Sequence, residues 1–254
     1  MNIVKVVCFS SLCSLSLPAV AGVINFESED FCHGSHDNHV IDIHHAFQVS
    51  GVSVTFGFDT DADGVVDAPA VIEQSGNKDK GNDTGFWGIG GAKDVAAPGY
   101  KQQLGNYFIR QQRPYKPFGV FTILYDSALP VTAASGEIWD IDGNKRNTEQ
   151  FKVSAFNQNR LLDSVLSPLG NNMALDGKPW TFGFSGLTDI TKIEIEFTGS
   201  KKSGIGLAFD NFSPIQNRQL LSAVSVPEPN SLFILSLGIL AFAGRKSLAF
   251  VDKK

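Results

Sequence analysis

Apolar and polar residues alternate along much of the chain with a period of two. The clearest case is Thr191–Thr198, where Ile193, Ile195 and Phe197 alternate with Lys192, Glu194 and Glu196. That spacing predicts a strand with one face in the core and one in water. Val52, Val54, Phe56 and Phe58 alternate in the same way with Ser53, Thr55 and Gly57. Further strands are predicted at Val23–Glu27, His39–Phe47, Tyr107–Arg110, Phe118–Tyr125, Glu137–Ile141, Gln150–Asn157, Leu161–Leu166, Trp180–Ser185 and Ile205–Phe212. Turn formers separate them, as in Asp142-Gly143-Asn144, Gly170-Asn171-Asn172, Asp176-Gly177 and Gly199–Gly204. No amphipathic pattern long enough for a ten-residue helix interrupts the series. Short strands without crossover helices predict an all-β fold, an antiparallel β-sandwich spanning residues 22–218.

Two stretches break the alternation inside that domain. Ser75–Gly85 holds no apolar side chain, and Ala96–Pro117 is rich in Pro and Gln. Both are expected to be surface excursions, where binding loops usually lie. Gly88-Ile89-Gly90-Gly91 is no dinucleotide fingerprint, because no βαβ unit surrounds it.

The two ends have a different pattern. Lys5 precedes an apolar run from Val6 to Leu17, then Pro18 and Ala19-Val20-Ala21. Charge, apolar core and small-x-small cleavage site in that order read as a signal peptide over residues 1–21. Its removal takes Cys8 and Cys13, so Cys32 is the one cysteine left and no internal disulfide can form. An exported domain without a cross-link must rest on its core. Removal also takes Lys5, which moves the net charge from −5 to −6. That sign disfavours a nucleic-acid partner, whose phosphates require a basic surface.

After a linker at 219–225 comes Val226-Pro227-Glu228-Pro229, then an apolar run to Gly244, then Arg245-Lys246 and a tail at 247–254. The prolines stop any helix before the apolar run begins. From Asn230 to Gly244 a helix would span roughly 22 Å, against a hydrocarbon core of about 30 Å. Such a helix is a marginal membrane anchor, with Arg245-Lys246 and the tail on the cytoplasmic side. This order of Val-Pro-Glu-Pro, apolar helix and basic pair resembles the PEP-CTERM sorting signal, here residues 226–246. The resemblance implies transient anchoring in the inner membrane through the C-terminal transmembrane helix. It further implies cleavage near Pro227-Glu228-Pro229 by an exosortase-type membrane protease, then release to the cell surface or the extracellular space. The family belongs to Gram-negative bacteria that make extracellular polysaccharide.

The preceding domain resembles the jelly-roll ectodomains often joined to this signal. The matching pieces are Ile24-Asn25-Phe26-Glu27, Phe47–Val52, Trp139–Gly143 and Leu207–Phe212. The resemblance implies that the first and last strands lie side by side. It also implies a structural calcium ion held by Glu27 and Asp210 with backbone carbonyls; the alternative is that Asp210 and Asn211 cap a turn before Pro214.

Other candidate chemistry comes from the residues themselves. Asp59, Asp61, Asp63 and Asp67 lie at alternate positions around Gly64, a pattern that can wrap a calcium ion in oxygen ligands. The twelfth position of an EF-hand loop is here Ala70 rather than Glu, so a solvated hairpin turn is the competing reading. His33, His36, His39, His44 and His45 crowd into thirteen residues beside Cys32. Imidazole and thiolate suit a transition metal, but the spacing fits no zinc template and also suits a polar loop. Asp140 and Asp142 fall on one face of a predicted strand, with no acid partner identifiable for catalysis. Trp87, Tyr100, Tyr107, Tyr115 and Trp139 serve either as sugar-stacking surfaces or as core. No serine-nucleophile or Cys/His motif is present. The chain therefore reads as a non-enzymatic, calcium-stabilised adhesive or polysaccharide-binding surface protein. The alternatives are a secreted metal-dependent hydrolase using His33–His45, and a purely structural matrix protein.

Overall fold

A computed structural model describes residues 22–27, 36–76, 87–88, 92–93, 95–112, 119–202, 205 and 208–216, with backbone only at 87–88 and 92–93. The signal peptide, Cys32, His33, Tyr115, the Trp87 side chain, the linker, the sorting signal and the tail lie outside the described residues.

The strands are β1 (His39–Val40), β2 (Phe47–Val49), β3 (Val52–Asp59), β4 (Ala68–Gln74), β5 (Trp87–Gly88), β6 (Ala92–Lys93), β7 (Tyr107–Gln111), β8 (Val120–Ser127), β9 (Val131–Trp139), β10 (Phe151–Asn157), β11 (Arg160–Leu166), β12 (Pro179–Phe184), β13 (Lys192–Phe197) and β14 (Ala208–Gln216). One short helix, α1 (Lys101–Leu104), precedes β7. The strand path is β11-β10-β13-β8-β3-β4-β7-β14-β9-β12, with β2 added to β3 and β1 to β4. β5 and β6 form a separate two-stranded ribbon. Every described pairing is antiparallel. The path bends at β3–β4, which share only Gly57↔Pro69 and Phe58↔Ala68. The continuous sheet thus doubles over into the expected sandwich.

The inner faces meet in a phenylalanine-rich core. Phe26, Phe47, Phe56, Phe121, Phe209 and Phe212 are all buried within it. Phe26 meets Phe47 and Phe56 edge-on at centroid distances of 5.5 Å each, and Phe121 stacks on Phe209 at 4.4 Å. Each buried ring contributes about 1.5–3 kcal/mol by leaving water, plus a smaller edge-to-face term.

Two strand expectations are corrected, and one strand, β4, was not expected. His39–Phe47 is not one strand: Asp42 accepts the His44 N–H and its backbone carbonyl accepts the His45 N–H, turning the chain between β1 and β2. The strand expected at Glu137–Ile141 begins at Val131 and ends at Trp139. Its first half, with Ala133, Ala134 and Gly136, is too small-sided to stand out as a strand. Gly136 is small because a Cβ there would come within 2.6 Å of the Phe212 ring. Asp140 then leaves the sheet at φ +67°, so Asp140 and Asp142 do not share a strand face. Finally, β4 carries Pro69, which argues against a central strand. The proline is tolerated at the bend, where β4 is passing from β3 to β7.

Candidate functional site

The first and last parts of the domain lie side by side, as the terminal-strand resemblance implied. Ile24 and Phe212 exchange both backbone hydrogen bonds, at 2.8 and 3.0 Å. Phe26 drives its ring into the core at φ +55°, and Glu27 follows it. The Glu27 carboxylate accepts the Asn106 and Tyr107 backbone N–H groups and the Asn106 side-chain amide. On the other side of the bridge, Asp210 in β14 is paired with Glu137 in β9. A bulge follows Asp210, with Asn211 at φ +55°. Bulges re-aim side chains, and this one lets the Asn211 amide donate to Glu137 Oε2 at 2.8 Å and to the Gln103 carbonyl at 3.0 Å. Gln103 Nε2 donates to Glu137 Oε1 at 2.6 Å.

Glu27, Glu137 and Asp210 therefore line one cleft of about 490 Å³. None of the described residues lining it is Lys, Arg or His. Glu27 and Glu137 have their hydrogen bonds. Asp210 does not: it is 0% exposed, and neither carboxylate oxygen has a partner. Burial pushes its carboxyl well above the usual range, and the charges of Glu137 and Glu27 push it further; the nearby Asn211 N–H offsets this only in part. A buried carboxylate without hydrogen bonds or a counter-charge is costly. The sequence resemblance had named Glu27 and Asp210. It had missed Glu137, which only the β9–β14 register brings beside Asp210.

The second acidic candidate is the β3–β4 turn. Asp59, Asp61 and Asp63 place carboxylate oxygens within 4.8 Å of one another, the one such group of three among the described residues. Asp67 is not part of it. Its carboxylate turns back to accept the Thr60 N–H at 3.1 Å and the Thr60 hydroxyl at 2.6 Å. The grouped carboxylates also build the turn. Asp59 accepts the Asp63 and Gly64 N–H groups at 3.2 and 2.7 Å, and Asp63 accepts that of Val65 at 2.8 Å.

The described histidines divide. His36 Nε2 and His39 Nδ1 lie 2.9 Å apart. His45 packs its ring edge-on against Phe47, and His44 is exposed. No described histidine joins a third metal-ligating side chain within 4.8 Å.

A further charged corner was only half visible in the sequence. Glu149 is 0% exposed, and its carboxylate receives Lys201 Nζ at 2.6 Å and the Asp142 N–H at 3.1 Å. Lys201 also reaches Asp142 Oδ1 at 3.1 Å. Burial raises the Glu149 carboxyl to about 7 despite Lys201. Asp140 and Asp176 lie buried beside them, both raised chiefly by burial. Trp139 is wholly buried in a small cluster with Leu104, Phe108 and Ala208, so it offers no sugar-stacking face.

Among the described residues no helix is long and apolar enough to cross a membrane. Comparison with known families finds the PEP-CTERM protein-sorting motif at residues 225–247. The motif marks the chain as an exported protein, directed toward the cell surface through processing by exosortase, a membrane protein. Comparison with curated proteins finds none that matches.

Proposed function

We propose that the chain is a surface ectodomain stabilised by calcium at Glu27, Glu137 and Asp210, and that the polar cleft above this ion binds polysaccharide. The observation that carries the calcium reading is Asp210, buried with both oxygens unpartnered in a cleft that holds two more carboxylates and, among the described residues, no cationic side chain. A hard cation taking six to eight oxygen ligands is the species that such a set suits. Opposed ligands of calcium stand about 5 Å apart, so carboxylates spread more widely than the Asp59 group can still share one ion. Positive φ angles at Phe26, which precedes Glu27, and at Asn211, which follows Asp210, fit a site whose geometry is held against local strain. The Asp59-Asp61-Asp63 turn is a second, more exposed calcium position. The polysaccharide reading draws on the amides of Asn25, Gln102, Gln103 and Asn211, which line the same cleft. Amides both donate to and accept from sugar hydroxyls. Adhesion at the cell surface is the role this assigns to a sorted, exported chain.

The test is a melting curve of the full chain in millimolar calcium and in chelator. A ligand at a hundredfold excess over Kd adds about 2.7 kcal/mol. For a domain of this size that raises Tm by roughly 5–10 °C. Asp210→Asn should abolish the rise and, by removing the unpaired charge, leave the chelated protein at least as stable as the wild type. Identical curves in calcium and chelator would remove calcium from this account. A glycan array read in both conditions tests the polysaccharide; calcium-dependent binding of a glycan is the expected result.

A further inference from the structure

Three segments far apart in the chain meet at the Glu149 corner, and their backbones are fixed there independently of the side chains. Asp142 lies just past the end of β9. Glu149 stands just before β10, where it exchanges both backbone hydrogen bonds with Gly170, at 2.9 and 2.7 Å. Lys201 follows β13; its N–H and that of Ser200 both donate to the Thr148 carbonyl, at 3.0 and 2.9 Å. The approach is so close that a Cβ on Gly199 would collide with that carbonyl. Held in this way, Lys201 Nζ lies 3.1 Å from Asp142 Oδ1 and 2.6 Å from Glu149 Oε1. Glu149 Oε2 accepts the Asp142 N–H at 3.1 Å, so one wholly buried carboxyl touches both of its neighbours.

We propose that Lys201 and Asp142 condense into an intramolecular amide cross-link, with Glu149 relaying the protons. An amine, the carboxyl it touches, and a shielded second carboxyl beside the amine supply a nucleophile, an electrophile and a general acid–base. Holding the two reacting groups in contact gives a high effective concentration, which offsets the poor equilibrium of condensation in water. Burial pulls the Lys201 amine down, but the charges of Glu149 and Asp142 outweigh it and hold the amine above its ordinary value. The resting state is therefore the ion pair, and the reactive state is the minor one in which the ammonium proton has passed to Glu149. Glu149, near 7, is matched to that exchange at neutral pH. The amine lone pair then attacks Asp142 Cγ; a C–N bond forms and one C–O bond breaks. Ammonium and carboxylate become an amide and one water. The nitrogen gives up two of its three protons, both leave on the departing oxygen, and Glu149 ends as it began. No oxidant, metal or cofactor enters the balance. None of the three residues lines the acidic cleft, so the cross-link is independent of calcium.

The test is mass spectrometry of a tryptic digest of the full chain after incubation at neutral pH. The expected result is one species in which the peptide holding Asp142 is joined to the peptide holding Lys201, lighter than their sum by one water. Lys201→Arg keeps the positive charge beside Glu149 but offers no amine nucleophile, so the joined species should vanish. Glu149→Gln should abolish it or slow it strongly. Asp142→Asn should still link, with loss of ammonia in place of water, which identifies Asp142 as the electrophile. The bond closes a span of 59 positions, so the linked wild type should melt roughly 10 °C above Lys201→Arg. Wild-type peptides recovered separately at full mass would overturn the proposal, and that measurement needs no variant to fold. A water loss that persists in Lys201→Arg would overturn it too, by placing the loss in a succinimide at Asp142-Gly143. Linking in Glu149→Gln at the wild-type rate would overturn the relay.

Discussion

Two corners of the same sandwich bury carboxylates, and they neutralise them differently. At the first, Glu149 is wholly buried and Lys201 brings an ammonium to 2.6 Å, shared with Asp142. At the second, Asp210 is equally buried beside Glu137 and Glu27, and among the described residues no cationic side chain lines the cleft. The first corner carries its own counter-ion in the sequence. On the calcium proposal, the second takes its counter-ion from outside. A covalently attached lysine needs no ion from the medium. A cleft that needs a free cation stabilises it only where that cation is abundant, as calcium can be outside a cell. On the calcium proposal, the cleft would complete the fold of this exported chain only after it meets the ion.

The most severe way to break this comparison is to remove the built-in cation. Lys201→Met leaves Glu149 buried without its partner, and breaking a buried pair costs roughly 3 kcal/mol. Tm should fall by about 6–12 °C. Calcium should not rescue it, because the ion acts at the other corner. The loss should shrink at pH 5, where Glu149 carries a proton and needs no counter-charge. A Lys201→Met protein that regains wild-type stability in calcium would show that the two corners are interchangeable, contrary to this account.

The pH dependence of the unaltered protein sharpens the contrast. Glu149 sits near 7 when folded, above its ordinary 4.5, so the folded state holds this proton more tightly. Its contribution is fully present below pH 4.5 and is lost as pH rises through about 7. Asp210 is shifted in the same direction by burial and by Glu137 and Glu27. In chelator, Tm should therefore fall as pH rises from 4.5 to 7. Calcium bound at the proposed site would release the Asp210 proton, so it should cancel the cleft's share of the fall and leave the Glu149 share. The gap between the calcium and chelator curves then widens with pH. A gap that stays constant from pH 5 to 8 would detach Asp210 from the calcium response.

The sequence revealed the sheet better than the site because a period of two is local and a register is not. Thr191–Thr198 could be read from eight residues, and β13 lies there. Glu137 and Asp210 are 73 positions apart, and only the bulged β9–β14 pairing brings them together. Glu149 and Lys201 are likewise joined by the β10–β13 register, in which Phe151 faces Phe197. The Asp59 turn could be read because its ligand spacing is contiguous, yet Asp67 went to Thr60 instead of joining the other three. Glu27 and Asp210 came from resemblance, and the burial that gives them meaning came from the packing of β14.

The smallest expected effect belongs to that turn. Asp61 is exposed, and its carboxylate accepts one N–H, that of Asp63, at 3.3 Å. The heavier duties fall on Asp59, which is buried and accepts two N–H groups. Replacing Asp61 by Ala in chelator should change stability by no more than about 0.5 kcal/mol, or roughly 1–2 °C in Tm. In calcium, most of the shift should survive, because Asp210 carries the greater electrostatic cost and gains the most from a cation. A modest reduction would mean that the turn holds an ion of its own and adds a lesser share. Losing the whole shift in Asp61→Ala while Asp210→Asn keeps it would move the calcium site to the turn. Asp210 would then be a protonated core residue, and the two corners would differ in a second way: one neutralised by lysine, the other by a proton.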